Sequence, residues 1–286
     1  MRLIRRHLPD SLLCAVIAVL LGGLFWHRLL WMGHLWWSDG LYSLSALVPL
    51  VSLGIVYSKW NKLCTLPCNP SPAGAVAVIA GAAVTVATDR LGILRSLTPL
   101  LLAGMLCGIV LALWGYAALK ELFFPIAFLL LLVPIPPILL EKIDLPLQIM
   151  CAKAVEVGSR LTGLHAQRVG SILIFPGSGT IDVVPACNGV RSAITMLMLS
   201  IICAYLSRAS WYSRLAVVAA AVPIAYFANL LRLFGIVSGA HFLGGWFMRH
   251  EQAFDHVFGL FVFCGCVAML LLWARLVKCT TFVETC

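Results

Sequence analysis

The sequence predicts an all-α polytopic membrane protein, and both its composition and its hydropathy pattern support this fold class. Of the 286 residues, 62% are hydrophobic and 11% are charged, whereas soluble domains average about 45–50% apolar and about 25% charged residues. The mean hydropathy is +1.02. The apolar residues fall into runs close to the ~20 residues that a helix needs to cross a bilayer. A soluble globular domain is therefore excluded.

Eight apolar runs predict about eight transmembrane helices, all within a single transmembrane domain that covers 1–286. The first run follows a basic N-terminus and resembles a signal peptide. No small-residue cleavage site follows it, so we interpret it as a retained span. The runs cover residues 12–31, 41–58, 73–92, 97–119, 122–140, 187–206, 214–240 and 256–276.

Membrane orientation explains the basic excess of the chain, which has 20 Lys and Arg against 11 Asp and Glu. With an even number of spans, both termini lie on one side. The Lys and Arg residues divide equally between the two sides. However, Arg2, Arg5 and Arg6 flank the first span, which usually sets orientation, so we expect both termini inside. No basic patch with interleaved aromatic residues is present, and nucleic acid is not an expected partner.

The 11 cysteines do not predict a disulfide framework. Most lie in or beside apolar runs, where cysteine packs as a small hydrophobic residue. Cys64 and Cys68 have neither a second cysteine pair nor a nearby histidine, so a zinc site is not expected there. We predict no metal and no cofactor.

The longest polar stretch, residues 141–186, is predicted to lie outside the membrane as a cap before the sixth span. Its first part reads as an amphipathic helix lying along the membrane interface. Its second part, SILIF, PGSG and TIDVV, predicts two short strands around a turn, that is, a β-hairpin. The helical face is formed by Leu147, Met150, Ala154, Val157 and Leu161.

Cys187 opens the sixth predicted span, in the stretch VVPACNGVRSA. A thiol at a helix N-terminus feels the positive end of the helix dipole, and Arg191 follows one turn later. Both features favour the thiolate, which is the nucleophilic form. Position alone leaves an equal alternative, a structural cysteine at a loop–helix junction.

Two further polar residues share the predicted depth of that thiol. Arg232 falls inside the seventh span, where an arginine is costly unless it is paired or faces a wet cavity. Asn229 is three residues earlier on the same face. His256 begins the eighth span. The alternatives are an arginine that extends to the membrane surface and an ordinary interfacial histidine. His250 and Asp255 are further candidate supporting residues, for which the sequence offers no geometric argument.

Taken together, a thiol, an imidazole and a guanidinium are the groups that acyl transfer needs. They supply a nucleophile, an acid/base group and a stabiliser of the oxyanion. Such a set is recognised by geometry and role, and chain order does not matter. No other catalytic motif competes with it.

The sequence resembles the exosortase/archaeosortase family of membrane-embedded transpeptidases, over about residues 12–276. The family signature has a Cys within A-C-S-G-x-R-S, an Arg within N-x-x-R, and a His that opens the last helix. These match Cys187, Arg232 and His256, in that order. The sequence departs from the signature at Asn188, where the family usually has Ser.

A second departure lies near the entry of the second span. Tyr42 stands where many family members carry His. This difference suggests a sub-branch with a different substrate signal.

The resemblance implies a sortase-like cysteine peptidase in the inner membrane, with its active site on the extracytoplasmic side. Its substrates would be exported proteins with a C-terminal tripartite signal: a short motif such as Pro-Glu-Pro, a transmembrane helix and a basic tail. The enzyme would cut near the motif through an acyl-thioester and pass the new carboxyl end to an acceptor, such as a lipid or a glycan. Bacterial members accompany exopolysaccharide production, and archaeal relatives accompany lipid attachment.

In this mechanism Cys187 is the nucleophile and Arg232 stabilises the oxyanion or hydrogen-bonds the leaving group. Because an arginine is a poor proton donor, we assign the acid/base role to His256, although analogy allows Arg232 in that role. Supporting residues are Asn188, Arg191 and Asn229. Besides substrate and acceptor, membrane lipid is the only other expected partner.

Two other function classes were weighed. One is a non-catalytic membrane component of an exopolysaccharide assembly or export system, and the intact Cys–Arg–His set argues against it. The other is a transporter or channel. Against it, the sequence shows no repeated broken helices in matching halves and no acidic residues at mid-membrane depth.

Overall fold

A computed structural model describes residues 7–91, 95–161, 167–175, 179–182 and 189–279. The chain divides into two compact units, Met1–Ile135 and Pro136–Cys286. Almost all of the described residues are helical. This is the expected result for an apolar chain, because a helix satisfies its backbone hydrogen bonds within one segment.

In the described part of the first unit, six α-helices follow one another. Three short 3-10 turns accompany them, at Ser43–Ala46, Arg95–Leu97 and Leu129–Leu132. The helices are α1 (His7–Ser38), α2 (Leu47–Ser58), α3 (Trp60–Thr65), α4 (Pro72–Arg90), α5 (Thr98–Leu113) and α6 (Tyr116–Phe128).

Helices α4 and α5 approach each other closely because glycine lies at the contact. A Cβ atom at Gly74 would collide with the backbone of Ala112, and one at Gly108 would lie 3.1 Å from Cγ2 of Val78. Small residues are the usual means by which helices pack in a membrane, where burial of apolar surface provides no driving force.

An arginine inside α1 joins that helix to α4. The Arg28 side chain is 1% exposed, and its Nε donates to Oδ1 of Asp89 over 2.7 Å. Its Nη2 donates to Oγ1 of Thr88 at 2.5 Å and to the carbonyl of Thr85 at 3.2 Å. Its Nη1 is buried and has no hydrogen-bond partner among the described residues. The sequence analysis assigned no role to this charge.

The second unit begins with α7 (Pro137–Leu161) and a three-stranded antiparallel sheet of order β1-β2-β3. The strands are β1 (Gln167–Val169), β2 (Ile172–Phe175) and β3 (Gly179–Asp182), with Leu173 opposite Ile181. β2 and β3 confirm the predicted hairpin. β1 is an additional strand that the sequence analysis did not predict.

Helix α7 packs against protein with a face other than its predicted membrane-facing one. Met150 and Val157, on the apolar face predicted to lie along the membrane interface, are exposed, whereas Cys151 and Val155 are buried. The buried face of α7 forms a cluster with Leu173 of β2 and with residues 233 and 237 further along the chain. The predicted apolar face is therefore not the face that packs against protein.

The remainder of the second unit consists of α8 (Val190–Leu206) and a long helical segment, Trp211–Leu276. The long segment leaves helical geometry at Gly244 and at His250. We therefore treat it as two spans, α9 (Trp211–Gly244) and α10 (Ala253–Leu276). They pack together with α8 around one core, which contains Met196, Val217, Ala221, Ala225, Cys266 and Leu270.

The predicted fold class is confirmed. Among the described residues, five helices are long and apolar enough to cross a membrane, and six if 116–132 and 137–160 count as one broken span. Two shorter apolar helices, Ser43–Ser58 and Val190–Leu206, coincide with the second and sixth predicted runs. Each of the eight runs thus overlaps a helix, although not every one has the length of a full span.

Candidate functional site

The thiol that the sequence predicts as nucleophile, Cys187, and its neighbour Asn188 lie outside the described residues. The description resumes at Gly189, which is the N-cap of α8 with a φ of 86°. Only glycine adopts this left-handed conformation without strain. The glycine at this position therefore allows the chain to enter α8 in this conformation.

Gly189 also lies directly against α9. A Cβ atom at this position would be 3.0 Å from Cβ and 3.2 Å from Cγ of Asn229. The start of α8, two residues after Cys187, is thereby placed beside the predicted supporting residue on α9. Arg191, in the first turn of α8, has an exposed side chain.

Asn229 joins three parts of the second unit. Its side chain is buried, and Nδ2 donates to Sγ of Cys151 on α7 at 3.6 Å. A buried amide must find partners, since an unpaired polar group in an apolar environment costs roughly 1–3 kcal/mol. Asn229 therefore ties α7 and the entry of α8 to α9, one turn before Arg232.

Arg232 is held by a carboxylate of the next span. Its Nε donates to Oδ1 of Asp255 at 2.7 Å and its Nη2 donates to Oδ2 at 2.5 Å. The two side chains are 25% and 27% exposed. An arginine inside a span requires a pairing partner, and Asp255 is that partner. Part of the ion pair remains accessible.

The α9–α10 hairpin makes this pairing possible, because its two helices lie unusually close together. A Cβ atom at Gly235 would collide with the ring of Phe258, and one at Gly239 would lie 3.4 Å from the ring of Phe254. These contacts fix the register in which Arg232 faces Asp255.

His256 follows Asp255 in α10, and its side chain is exposed. Consecutive residues of a helix do not face one another, so the imidazole and the carboxylate lie on different sides of α10. The structure therefore brings Arg232, Asn229, Gly189 and Asp255 into one neighbourhood, and it places His256 at the same end of the hairpin.

Asp255 is a candidate supporting residue from the sequence, but its pairing with Arg232 was missed. A signal for this pairing was present, because a charge within a span requires a partner. In a helical hairpin the first acid of the following span is the nearest candidate.

The cap segment 141–186 is anchored next to these residues. Cys151, Val155 and Leu173 pack against Leu233 and Val237 of α9. Further along α7, a Cβ atom on Gly158 would lie 2.8 Å from the ring of Phe234. Since these α9 residues surround Arg232 in sequence, the described part of the cap lies beside the site.

Tyr42, which departs from the family pattern, serves a local role in the first unit. Its hydroxyl oxygen accepts a hydrogen bond from the backbone N–H of Ile135 at 3.1 Å. The entry of the second apolar run is thereby attached to the end of that unit.

In the described part of the chain, no group of three or more His, Cys, Asp or Glu residues could hold a metal ion.

Comparison with known protein families decides the assignment. The model of the transmembrane exosortase family matches residues 36–273. The chain belongs to the exosortase family. This result confirms the resemblance seen in the sequence, and it agrees with the multi-pass helical fold. No curated protein and no solved structure matched the chain.

The match to the exosortase family covers every residue that the sequence analysis singled out as catalytic or supporting. A charged pair at the start of α10 involves the motif arginine of this exosortase-family chain. There the arginine of the N-x-x-R motif is bound by two charge-assisted hydrogen bonds. Such bidentate pairs add geometric specificity as well as energy.

Proposed function

We propose that this exosortase is a membrane cysteine transpeptidase. It cleaves the C-terminal sorting signals of exported proteins through an acyl-thioester and transfers the new carboxyl end to an acceptor. The observation that carries the proposal is the orientation of Arg232. Its guanidinium is fixed by Asp255 and remains partly accessible, one turn from the asparagine that contacts the entry of α8. A preorganised cation is what an oxyanion requires.

The first half-reaction is attack by Cys187. Its thiolate sulfur bonds to the scissile carbonyl carbon, and the carbonyl oxygen takes the negative charge, which Arg232 stabilises. When the tetrahedral intermediate collapses, the C–N bond breaks and His256 protonates the leaving amine. The acyl-thioester remains on the enzyme. In the second half-reaction an acceptor amine or hydroxyl attacks the thioester, His256 removes its proton, and the thiolate of Cys187 leaves.

Roles for the supporting residues follow from their positions. Asn229 contacts Gly189 at the entry of α8, two residues after the nucleophile, and so holds this entry against α9. Arg191, in the first turn of α8, adds positive charge near the N-terminus of that helix and favours the thiolate. Asn188, directly after the nucleophile, is a small polar residue in the position of the family's serine.

A membrane site suits substrates that carry their own transmembrane helix. Once that helix is anchored in the same bilayer, lateral docking raises the effective concentration of the sorting motif at the site. The cap beside Arg232 would exclude water, which favours transfer of the acyl group over its hydrolysis. A lipid or a glycan is the acceptor class that we propose.

The charges of the second unit support an extracytoplasmic site in the inner membrane. Among the described residues 189–279, four exposed basic residues lie at the end of the helices opposite the Arg232 pair, and two, Arg191 and Arg249, lie at the Arg232 end. The four at the opposite end are Arg208, Arg214, Arg275 and Lys278. This end is held together by a contact from Sγ of Cys279 to Oγ of Ser207 at 3.0 Å. Basic residues favour the cytoplasmic side, which leaves Arg232, Asp255 and His256 on the outer side.

The test is co-expression of the full chain with a tripartite-signal protein from the same genome, followed by intact-mass spectrometry of that substrate. Wild type is compared with Cys187→Ala and Cys187→Ser. Cys64→Ala, an exposed thiol on α3, is the matched control. We expect wild type and Cys64→Ala to remove the tail and Cys187→Ala to leave it intact. The mass of the product identifies the acceptor, and water alone would indicate hydrolysis.

Equal processing by wild type and Cys187→Ala would overturn the proposal. Failure of wild type to process any tripartite-signal protein of that genome would do so as well. That second result would favour a non-catalytic role in exopolysaccharide assembly.

A further inference from the structure

We infer that Asp255 is a positioning residue of this site: its carboxylate sets the orientation in which Arg232 meets the substrate. The inference rests on the proposed function and assigns that reaction one residue more than the Cys–Arg–His set. It starts from the geometry of the pair. Both carboxylate oxygens of Asp255 accept hydrogen bonds, and both come from the same edge of the guanidinium, Nε and Nη2.

An edge-on pair removes the rotational freedom of the arginine. A single contact would leave the planar guanidinium free to turn about one bond, whereas two parallel N–H···O bonds define its plane. Because Nε and Nη2 are directed at Asp255, the opposite edge of the guanidinium points away from this carboxylate. Asp255 therefore selects which part of Arg232 an oxyanion encounters.

The backbone on both sides of the pair is fixed as well. On α10, Phe254 and Phe258 flank Asp255, and their rings stack with centroids 5.5 Å apart. Phe258 fits against Gly235, less than one turn beyond Arg232 on α9. The carboxylate is thus carried on an aromatic pair that is packed against the arginine's own helix. The carboxylate of Asp255 has little room to follow movements of the guanidinium. It therefore determines the orientation that Arg232 adopts.

The pair also divides the chemical work of the site. An arginine is not deprotonated in proteins, so Arg232 acts as a fixed cation and not as a proton carrier. The proton that the leaving amine needs then comes from another group. His256, the residue next to Asp255, carries an imidazole, which is the commonest general acid or base. Asp255 thereby holds Arg232 in the role of charge stabiliser.

The alternative is that Asp255 only holds two helices together. The first unit offers a matched control for that role, because Asp89 binds Arg28 at the same Nε···O distance, 2.7 Å, in a different unit. Replacing either aspartate by asparagine removes one negative charge opposite an arginine inside a span. The two substitutions therefore differ in location but hardly in chemistry.

The experiment uses the full chain in detergent with a tripartite-signal protein that wild type processes and Cys187→Ala does not. We measure kcat and KM per folded enzyme for Asp255→Asn, Asp255→Glu and Asp89→Asn, together with the Tm of each. For Asp255→Asn we expect kcat to fall about 10²-fold with KM within about twofold, as for other misplaced catalytic groups. Asp255→Glu, which keeps the carboxylate, should recover part of kcat.

Asp89→Asn should lower the Tm and leave kcat per folded enzyme unchanged. The inference is overturned if Asp255→Asn keeps the wild-type kcat, or if its loss of activity matches its loss of folded protein as in Asp89→Asn. A failure of the proposed function has a different signature, because wild type and Cys187→Ala then give the same product.

Discussion

The two Arg–Asp pairs of this chain are chemically alike and structurally different. In the first unit the Arg28 side chain is 1% exposed, and it spreads its contacts over Asp89, Thr88 and a backbone carbonyl. In the second unit Arg232 and Asp255 face each other edge to edge and are about a quarter exposed. One arginine is enclosed by the helices it joins, and the other is oriented while part of it stays accessible.

This difference shows that pairing an intramembrane charge has two distinct uses. An enclosed arginine with several partners connects helices, and removal of one partner leaves a buried charge. A partly exposed arginine held at one edge by a carboxylate has a fixed orientation while part of its side chain stays accessible. Exposure, and not the presence of an ion pair, separates a structural arginine from one suited to bind a substrate.

The largest expected effect comes from replacing each arginine by lysine. A lysine keeps the charge but loses the planar fork that binds a carboxylate at two points. For Arg232→Lys we expect kcat to fall by about 10³-fold, as when a principal oxyanion donor is lost. Arg28→Lys should change kcat per folded enzyme by less than about twofold. Steady-state cleavage assays on both variants measure kcat. A comparable loss of kcat in the two variants would show that exposure does not separate a structural arginine from one suited to bind a substrate.

Next in size is the loss of stability on truncating the enclosed arginine. Arg28→Ala leaves Asp89 without its partner, and breaking such a pair costs about 3 kcal/mol; this is the low end of the usual range because Asp89 is 39% exposed to water. Denaturant titration of the purified chain measures the change. Combining Arg28→Met with Asp89→Leu should restore most of the stability, since an apolar pair removes both charges. If the double variant is as unstable as Arg28→Ala, the cost arises from packing and not from the unpaired carboxylate.

A smaller effect tests the close approach of α9 and α10. In Gly235→Ala the new methyl group collides with the ring of Phe258. Overpacking of this kind costs about 1–3 kcal/mol. Because the same contact sets the register of Arg232 and Asp255, kcat should fall as well. Gly265→Ala is the matched control on α10, where nothing lies within 4 Å of the added atom. Thermal melts and cleavage rates of the two variants should diverge, and equal behaviour would show that the helices adjust freely.

The elements that were predicted correctly depend on local sequence alone. Length and hydropathy located the apolar runs, and alternation around PGSG located β2 and β3. The face of α7 that packs against protein was not predicted, for a physical reason. Lipid chains are as apolar as leucine, so in a membrane protein small residues mark the packed face and large apolar ones need not be buried. Cys151 and Val155 are packed accordingly, whereas Met150 and Val157 are exposed.

For the candidate site, the sequence indicated residue types but not their partners. Arg232 and Asn229 were identified because polar residues are rare in spans, yet the carboxylate that binds Arg232 depends on how two helices are aligned. That alignment is set by Gly235 and Phe258, whose contact no periodicity reveals. Arg28 was overlooked for a related reason, since its partner lies 61 residues away, in α4.

These sequence separations have a consequence for synthesis of the chain. Arg232 and Asp255 are 23 residues apart, on the two arms of one helical hairpin, so the pair forms as soon as α10 follows α9 into the bilayer. The translocation machinery then releases the hairpin to the lipid with Arg232 already paired, and an unpaired charge there would cost several kcal/mol. The partner of Arg28, Asp89, lies 61 residues away in α4, so this pair can form only after α4 has been synthesised. We therefore expect α1 to remain with the insertion machinery until α4 arrives, whereas α9 and α10 leave it together.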